Sequence, residues 1–149
     1  MVDMRGTVAA ALTVLIASGL GVLAQSGDPI TQRQNLMKNN QDQMRTLTGM
    51  SRGQVPFNAV TAQAAFQQVA QNAQQIPALF PAGSHQGKTA ALPTIWERKA
   101  DFDAHAAKLE QDAKAVQTGI TDQASLQAAI QQVGQSCGGC HNTYRRKES

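Results

Sequence analysis

Aromatic side chains are scarce in this sequence of 149 residues, where Phe, Trp and Tyr together account for 4%. Long runs of alternating β-branched residues are also absent, so the strongest strand-forming patterns are missing. The net charge of +3 is modest, and no basic stripe interleaved with aromatics suggests a nucleic-acid-binding protein. Abundant Ala and Gln instead favour helices, and the length indicates one domain.

The one long apolar run lies at the N-terminus, at residues 8–23, and follows the positive charge of Arg5. This pattern is typical of a secretory signal peptide, and Ala24 ends an acceptable cleavage site. The alternative is an uncleaved membrane anchor, but the run is short for a span and no basic stop-transfer cluster follows it. We therefore predict that residues 1–24 are removed and that residues 25–149 form one exported, periplasmic domain with no membrane span.

Four amphipathic segments with a helical period follow the apolar run. We predict helices at about 29–52, 58–75, 94–118 and 121–147, with Asp28, Asn58 and Thr121 as N-caps. Val60 and Phe66 are expected on the inward face of the second helix. The connection of about 16 residues before the third helix is long for a bundle. The pattern predicts an all-α protein, an antiparallel up-down-up-down four-helix bundle.

The two cysteines stand in the fourth helical segment, in the run Cys137-Gly138-Gly139-Cys140-His141. This is the C-x-x-C-H pattern of covalent haem attachment. Residues i, i+3 and i+4 share one face of a helix, so both thiols can reach the vinyl groups along one porphyrin edge. His141 points into the same space and can bind the iron. The pattern predicts one covalently attached haem c per chain.

Three other kinds of site compete with haem as the reading of the two cysteines. A zinc site needs about four ligands, and the remaining imidazoles, His85 and His105, have no paired spacing. A thioredoxin-like pair needs a βαβ context, and no strand is predicted. A structural disulfide across so short a gap would stabilise little.

A second iron ligand is suggested by the position of Met37 on the inward stripe of the first helix. In this topology the start of helix one lies beside the end of helix four. Met37 is about 13 Å beyond Asp28, a level similar to that of His141. The alternative is that Met37 fills the core, as methionine often does. His105 is expected to be a solvated or edge histidine from its helical phase.

The chain resembles the class II cytochromes c, the cytochrome c′ family, over nearly all of its length beyond the apolar run. The matching segments besides the haem motif are Gln34–Lys38, Gly53–Phe57, Pro77–Pro81, Pro93–Trp96 and Tyr144–Arg145. The segments around Met37 and Phe80 look closest to the low-spin branch, the cytochromes c-556. The resemblance implies His141 and Met37 as axial ligands and a role in electron transfer. The alternative that it implies is a five-coordinate cytochrome that binds nitric oxide or other small gases.

The resemblance also places Arg33 and Arg145 in the haem environment, whereas the alternative is that both are solvated helix-end charges. Arg146 and Lys147 would extend a basic collar around the haem edge, which predicts acidic redox partner proteins. Family members commonly dimerise through helices one and two, so the resemblance implies a homodimer. No acid–base constellation suggests an enzyme, and no catalytic residue is predicted.

Overall fold

The computed structural model describes residues 27–147, so the predicted signal peptide and its cleavage site lie outside the described residues. The helices are α1 (Pro29–Ser51), α2 (Ala59–Gln75), α3 (Thr94–Glu97), α4 (Lys99–Gln117) and α5 (Gln123–Tyr144), with a 3₁₀ turn at Pro77–Leu79. The four long helices form a ring in which α1 and α4 each pack against both α2 and α5. This arrangement confirms the predicted four-helix bundle. Within residues 27–147, no helix combines the length and apolar character needed to cross a membrane.

Side-chain caps begin the first two helices where the sequence predicts them. Asp28 Oδ2 accepts a hydrogen bond from the backbone N–H of Thr31 at 3.0 Å, and Pro29 occupies the first turn. Asn58 Oδ1 accepts from the backbone N–H of Thr61 at 2.9 Å. Each cap satisfies a backbone donor that has no partner inside its helix.

The predicted start of the last helix is wrong by one residue, because Asp122 rather than Thr121 is its N-cap. Asp122 Oδ1 accepts from the backbone N–H of Ser125 at 2.8 Å. Ser125 Oγ in turn accepts from the backbone N–H of Asp122 at 3.0 Å. This reciprocal pair is a capping box, and a cap at Thr121 would place Ala124 at the reciprocal position.

The predicted third helix is also interrupted, because Arg98 leaves helical geometry at φ −123° and ψ 44°. The break separates the single turn of α3 from α4. It allows Ile95 to be buried in the core while Trp96 Nε1 donates to the carbonyl oxygen of Pro81 at 2.8 Å. The regular apolar stripe across residues 94–118 therefore does not reveal that the helix is interrupted at Arg98.

The last helix ends at Tyr144 instead of continuing to Lys147, because the chain turns to pair with the long loop. Arg145 is extended and forms an isolated antiparallel bridge with Ala91. Leu92 N donates to Tyr144 O at 3.0 Å, and Arg146 N donates to Ala90 O at 2.8 Å. The loop before α3 is thereby fastened to the C-terminal end of the bundle.

The tightest part of the core lies at the end of the bundle where α1 ends and α5 begins. Leu47, Phe66 and Leu126 are completely buried there, and Met50 is 2% exposed. Gln123 Nε2 donates to Ser51 O at 2.8 Å, so α5 satisfies a terminal carbonyl of α1. The expectation for Val60 is wrong, since its side chain is exposed and out of phase with the buried residues of α2.

Candidate functional site

The opposite end of the bundle contains a cavity of about 700 Å³ between α1, α4, α5 and the loop after α2. All six predicted site residues line it, namely Arg33, Met37, Cys137, Cys140, His141 and Arg145. The up-down-up-down topology explains this meeting, because the start of α1 and the end of α5 share one end of the bundle. The structure brings these residues together, and their individual roles stay predictions.

The α5 wall of the cavity carries the C-x-x-C-H residues one turn apart. Cys137 and Cys140 are half-buried free thiols that pack against the core. Burial raises the pKa of Cys137. Burial, followed by the proximity of Cys137 and of Asp101, raises the pKa of Cys140 to about 11. Both sulfurs are therefore uncharged at neutral pH in a weakly polar environment.

His141 stands at the mouth of the same cavity, with part of its surface exposed. Partial desolvation by the surrounding protein, and then the charge of Arg145, lower the pKa of His141. Its imidazole is consequently neutral at pH 7, and the neutral ring is the form that binds a metal ion. This wall presents two thiols and one imidazole to a common space.

The α1 wall carries two methionines that line the cavity, Met37 and Met44. Both are partly buried and pack against the core, in contrast to the fully packed Met50 further along the helix. Leu36 lies behind Met37 and is 9% exposed. Heptad spacing thus puts Met37 and Met44 on a face that the opposite helices do not close.

Arg33 is the most deeply buried charge at this end of the bundle, with 3% of its surface exposed. Its guanidinium donates to Ser84 O at 2.7 Å, to Ser84 Oγ at 3.1 Å and to Thr89 Oγ1 at 3.1 Å. It also lies over the rings of Phe80 at 4.7 Å and Trp96 at 5.7 Å. Burial lowers the pKa of Arg33, an effect that Asp28 partly offsets. These contacts fasten the loop after α2 over the cavity.

The Nε atom of Arg33 has no hydrogen-bond partner, and among the described residues no carboxylate lies within ion-pair distance of this guanidinium. A buried cation without an anion is costly. A carboxylate entering the cavity would supply what Arg33 lacks. A haem brings two propionate carboxylates, so the environment of Arg33 fits this cofactor.

His105 lies at the edge of α4, but it also faces the cavity, which its helical phase does not predict. It lines the cavity, with its Nε2 at 3.9 Å from Asp101 Oδ2 and its ring 5.7 Å from that of Tyr144. Tyr144 in turn donates its hydroxyl to Asp101. The prediction of a solvated or edge histidine is confirmed as an edge position, since the side chain is 30% exposed. The i, i+4 spacing of Asp101 and His105 is the signal that could have linked them.

The structure weakens the competing kinds of site. Across residues 27–147, no group of three or more His, Cys, Asp or Glu side chains is arranged to hold a metal ion. The two cysteines are not joined to each other. One large cavity is lined by two neighbouring thiols, a neutral imidazole and a buried arginine that has no carboxylate partner among the described residues. These features fit a covalently held haem.

Comparison with known proteins leads to the same cofactor. The family model described as Cytochrome C' matches residues 28–145. A cytochrome c-556 of Agrobacterium fabrum is 41% identical over 129 residues, covering 86% of this chain and 87% of the relative. A cytochrome c' of Rhodopseudomonas palustris is 38% identical over 141 residues, covering 94% of this chain and 97% of the relative.

The fold is similar as well. The solved structure of cytochrome c' from Rhodopseudomonas palustris superposes with a TM-score of 0.78 at 40% identity, covering 83% of this chain and 99% of that one. The resemblance inferred from the sequence is thereby confirmed. With the C-x-x-C-H run on the cavity wall and a family match over nearly all of the described residues, the chain belongs to the cytochrome c′ family and its cofactor is a covalently attached c-type haem.

Proposed function

We propose that the chain is a periplasmic electron-transfer protein with one low-spin haem, held by thioethers to Cys137 and Cys140 and ligated by His141 and Met37. The coarser role, haem-based electron transfer or gas binding, follows from the family. The finer proposal rests on one observation, that Met37 and His141 line the same cavity from different helices. The periplasmic location rests on the predicted removal of residues 1–24.

The described residues supply a setting suited to reversible oxidation. When bound, the haem iron supplies one-electron redox chemistry, and the axial ligands and the burial of the site set its potential. His141 is neutral and ready to coordinate, and the thioether of Met37 is a soft, uncharged ligand that raises the potential. Arg33 supplies a fixed positive charge that can neutralise a propionate. With His141 and Met37 both holding the haem, the protein would rearrange little during electron transfer.

Replacement of Met37 tests the axial ligand, and Met44 offers a matched control on the same wall. Met37→Ala should convert a low-spin absorption spectrum into a high-spin one and should allow the ferrous protein to bind carbon monoxide. Met44→Ala should leave the spectrum low-spin. An unchanged spectrum in Met37→Ala would remove Met37 from the proposal.

The second candidate function is that of a five-coordinate protein that binds nitric oxide or another small gas. The match to a cytochrome c' at nearly the same identity as the match to a cytochrome c-556 supports keeping it. Under this alternative Met37 packs beside the iron without binding it. The wild-type protein would then be high-spin and would bind carbon monoxide without any substitution.

Covalent attachment through the two cysteines is tested separately. Cys137→Ser and Cys140→Ser should each weaken haem retention in denaturant, and the double variant should lose its colour to acid–acetone. The wild-type protein should keep the haem through the same treatment. Full retention in the double variant would contradict attachment at these positions.

We also propose that acidic redox proteins dock at the cavity end, where Arg145, Arg146 and Lys147 are exposed. Opposite charges raise the rate of encounter, and salt screens that attraction. Electron transfer to an acidic partner should therefore slow as ionic strength rises, and Arg146→Glu should slow it at low salt. Arg52→Glu, at the far end of α1, should have little effect.

Dimerisation through α1 and α2 stays a prediction.

A further inference from the structure

A carboxylate lies directly behind one wall of the cavity, at the contact between α4 and α5. Asp112 accepts a hydrogen bond from the hydroxyl of Ser136, which is 6% exposed and lines the cavity one residue before Cys137. Lys108 Nζ donates to Asp112 Oδ2 at 2.8 Å, and Gln132 Nε2 donates to Asp112 Oδ1 at 3.2 Å. A single cavity-lining residue therefore connects this carboxylate to the space that the haem occupies.

The two charges of the pair formed by Asp112 and Lys108 differ in their exposure to solvent. The side chain of Asp112 is 13% exposed, whereas that of Lys108 is 64% exposed. Water and salt screen an exposed charge strongly and a buried charge weakly. The positive charge of Lys108 therefore offsets the negative charge of Asp112 only in part inside the fold.

Asp112 keeps its negative charge at neutral pH in spite of its burial. Burial alone would raise its pKa, but hydrogen bonds from Lys108, Ser136 and Gln132 outweigh burial and hold the pKa below the usual value of 3.8. At neutral pH a weakly screened negative charge therefore lies beside the cavity.

A second carboxylate, that of Asp101, has the same kind of contact with the cavity wall without the same burial. It accepts a hydrogen bond from the hydroxyl of Tyr144, which also lines the cavity. The side chain of Asp101 is 46% exposed, and Arg98 Nη2 donates to its Oδ2 at 3.1 Å. Because solvent screens Asp101, this residue is a matched control for Asp112.

We propose that Asp112 lowers the reduction potential of the haem, because its weakly screened negative charge stabilises the oxidised form. Reduction adds one electron to the haem, and a buried carboxylate beside the site opposes the added negative charge. A unit charge about 12 Å away, at an effective dielectric constant of about 20, changes the equilibrium constant about tenfold. Asp112 acts across the wall and binds no part of the cofactor, and Ser136 is a positioning residue for it.

The proposal rests on the proposed function only in that a haem occupies the cavity, and it holds whether or not Met37 binds the iron. The test is a redox titration of the holoproteins at neutral pH. Asp112→Asn should raise the equilibrium constant for reduction about tenfold, which corresponds to about 59 mV for one electron. Asp112→Glu keeps the charge and should stay within about threefold of the wild type. The spin state of the wild-type protein tests the axial ligand separately.

Three control variants separate the buried charge from its surroundings. Asp101→Asn and Lys108→Gln each remove an exposed charge and should change the equilibrium constant less than about twofold. Ser136→Ala breaks the same contact between α4 and α5 but leaves the charge of Asp112 in place, so its effect should stay below about threefold.

Ionic strength provides a further readout that a loss of packing would not reproduce. The shift in Asp112→Asn should persist at about 0.5 M sodium chloride, because salt screens exposed charges far more than buried ones. An unchanged potential in Asp112→Asn would overturn the proposal, and so would a shift that disappears in salt. An equal shift in Asp101→Asn would assign the effect to exposed charge, and an equal shift in Ser136→Ala would assign it to packing; either result would also overturn the proposal.

Discussion

The two ends of the bundle are built from the same residue types and differ in how completely the helices close upon one another. At the closed end, where α1 ends, Met50 is 2% exposed, and Leu47 and Phe66 are fully buried. At the cavity end Met37 and Met44 are only partly buried. The difference shows that an apolar heptad stripe specifies which face points inward, while the opposing side chains decide whether that face meets a core or a cavity.

The ends differ in polar residues as well. Three of the four buried polar or charged residues in the described part of the chain, Arg33, Asn40 and Ser136, line the cavity, and Asn72 hydrogen-bonds to one of them. Buried polar groups cost stability unless they are satisfied, so their collection at one end indicates a functional requirement there. The closed end therefore stabilises the fold, whereas the buried polar residues at the cavity end lower its stability.

The largest effect should come from emptying the closed end. Phe66→Ala removes a fully buried ring and should lower the free energy of unfolding of the holoprotein by about 3–5 kcal/mol. Met44→Ala removes a partly buried side chain and should cost less than half as much. Urea denaturation of both variants measures the contrast. Equal losses would show that the two ends contribute alike to stability.

Replacing one glycine in the cavity-end loop and one in a helix should have opposite effects on stability. Gly87 in the cavity-end loop has φ +121°, and an added Cβ would lie 2.8 Å from Ile30 Cδ1. Gly87→Ala should therefore lower the free energy of unfolding by about 1–3 kcal/mol. Gly134 is helical with nothing near an added Cβ, so Gly134→Ala should raise stability by about 0.5–1 kcal/mol. A stable Gly87→Ala protein would contradict a strained loop.

Acid should weaken the contact between α4 and α5 through Asp112. Burial alone would raise the pKa of Asp112, but hydrogen bonds from Lys108, Ser136 and Gln132 hold it below its usual value of 3.8. A lowered pKa stabilises the fold above pH 3.8, and that stabilisation is lost as pH falls through the lowered value. Asp112→Asn should cost about 1–2 kcal/mol at pH 7 and should flatten the acid dependence of unfolding. An identical acid dependence in the variant would exclude Asp112.

The smallest effect should come from a helix cap at the closed end. Asn58→Ala removes the acceptor for Thr61 N–H and should lower stability by about 1 kcal/mol. Asn58→Asp keeps the acceptor and should behave like the wild type. Thermal unfolding of the three proteins distinguishes a capping role from a general effect of substitution, in which both variants would lose stability together.

The sequence predicts the parts of the fold that depend on local chemistry. The starts of α1 and α2 follow from Asp28, Asn58 and the proline after Asp28, and the haem motif is a local pattern as well. Even the meeting of Met37 and His141 follows from helix length and up-down topology. These features need no knowledge of distant contacts.

The features that the sequence does not predict depend on tertiary contacts. The end of α5 at Tyr144 coincides with the bridge that Arg145 forms with the loop, and the break at Arg98 accompanies the contact of Trp96 with Pro81. The seating of Arg33 depends on Ser84 and Thr89, more than fifty residues away in sequence. The position of Asn40 depends on Asn72 in another helix. Hydrogen bonds across such separations leave no periodic signal in one sequence.

The bridge between Ala91 and Arg145 has a consequence for the order in which the molecule is completed. Arg145 and Arg146, which pair with the loop at Ala91 and Ala90, follow the two cysteines and His141 in the chain. The loop therefore cannot be held in place over the cavity until the whole haem-attachment motif has been synthesised. Until the loop pairs with Arg145, a newly synthesised chain would leave the cavity open to haem.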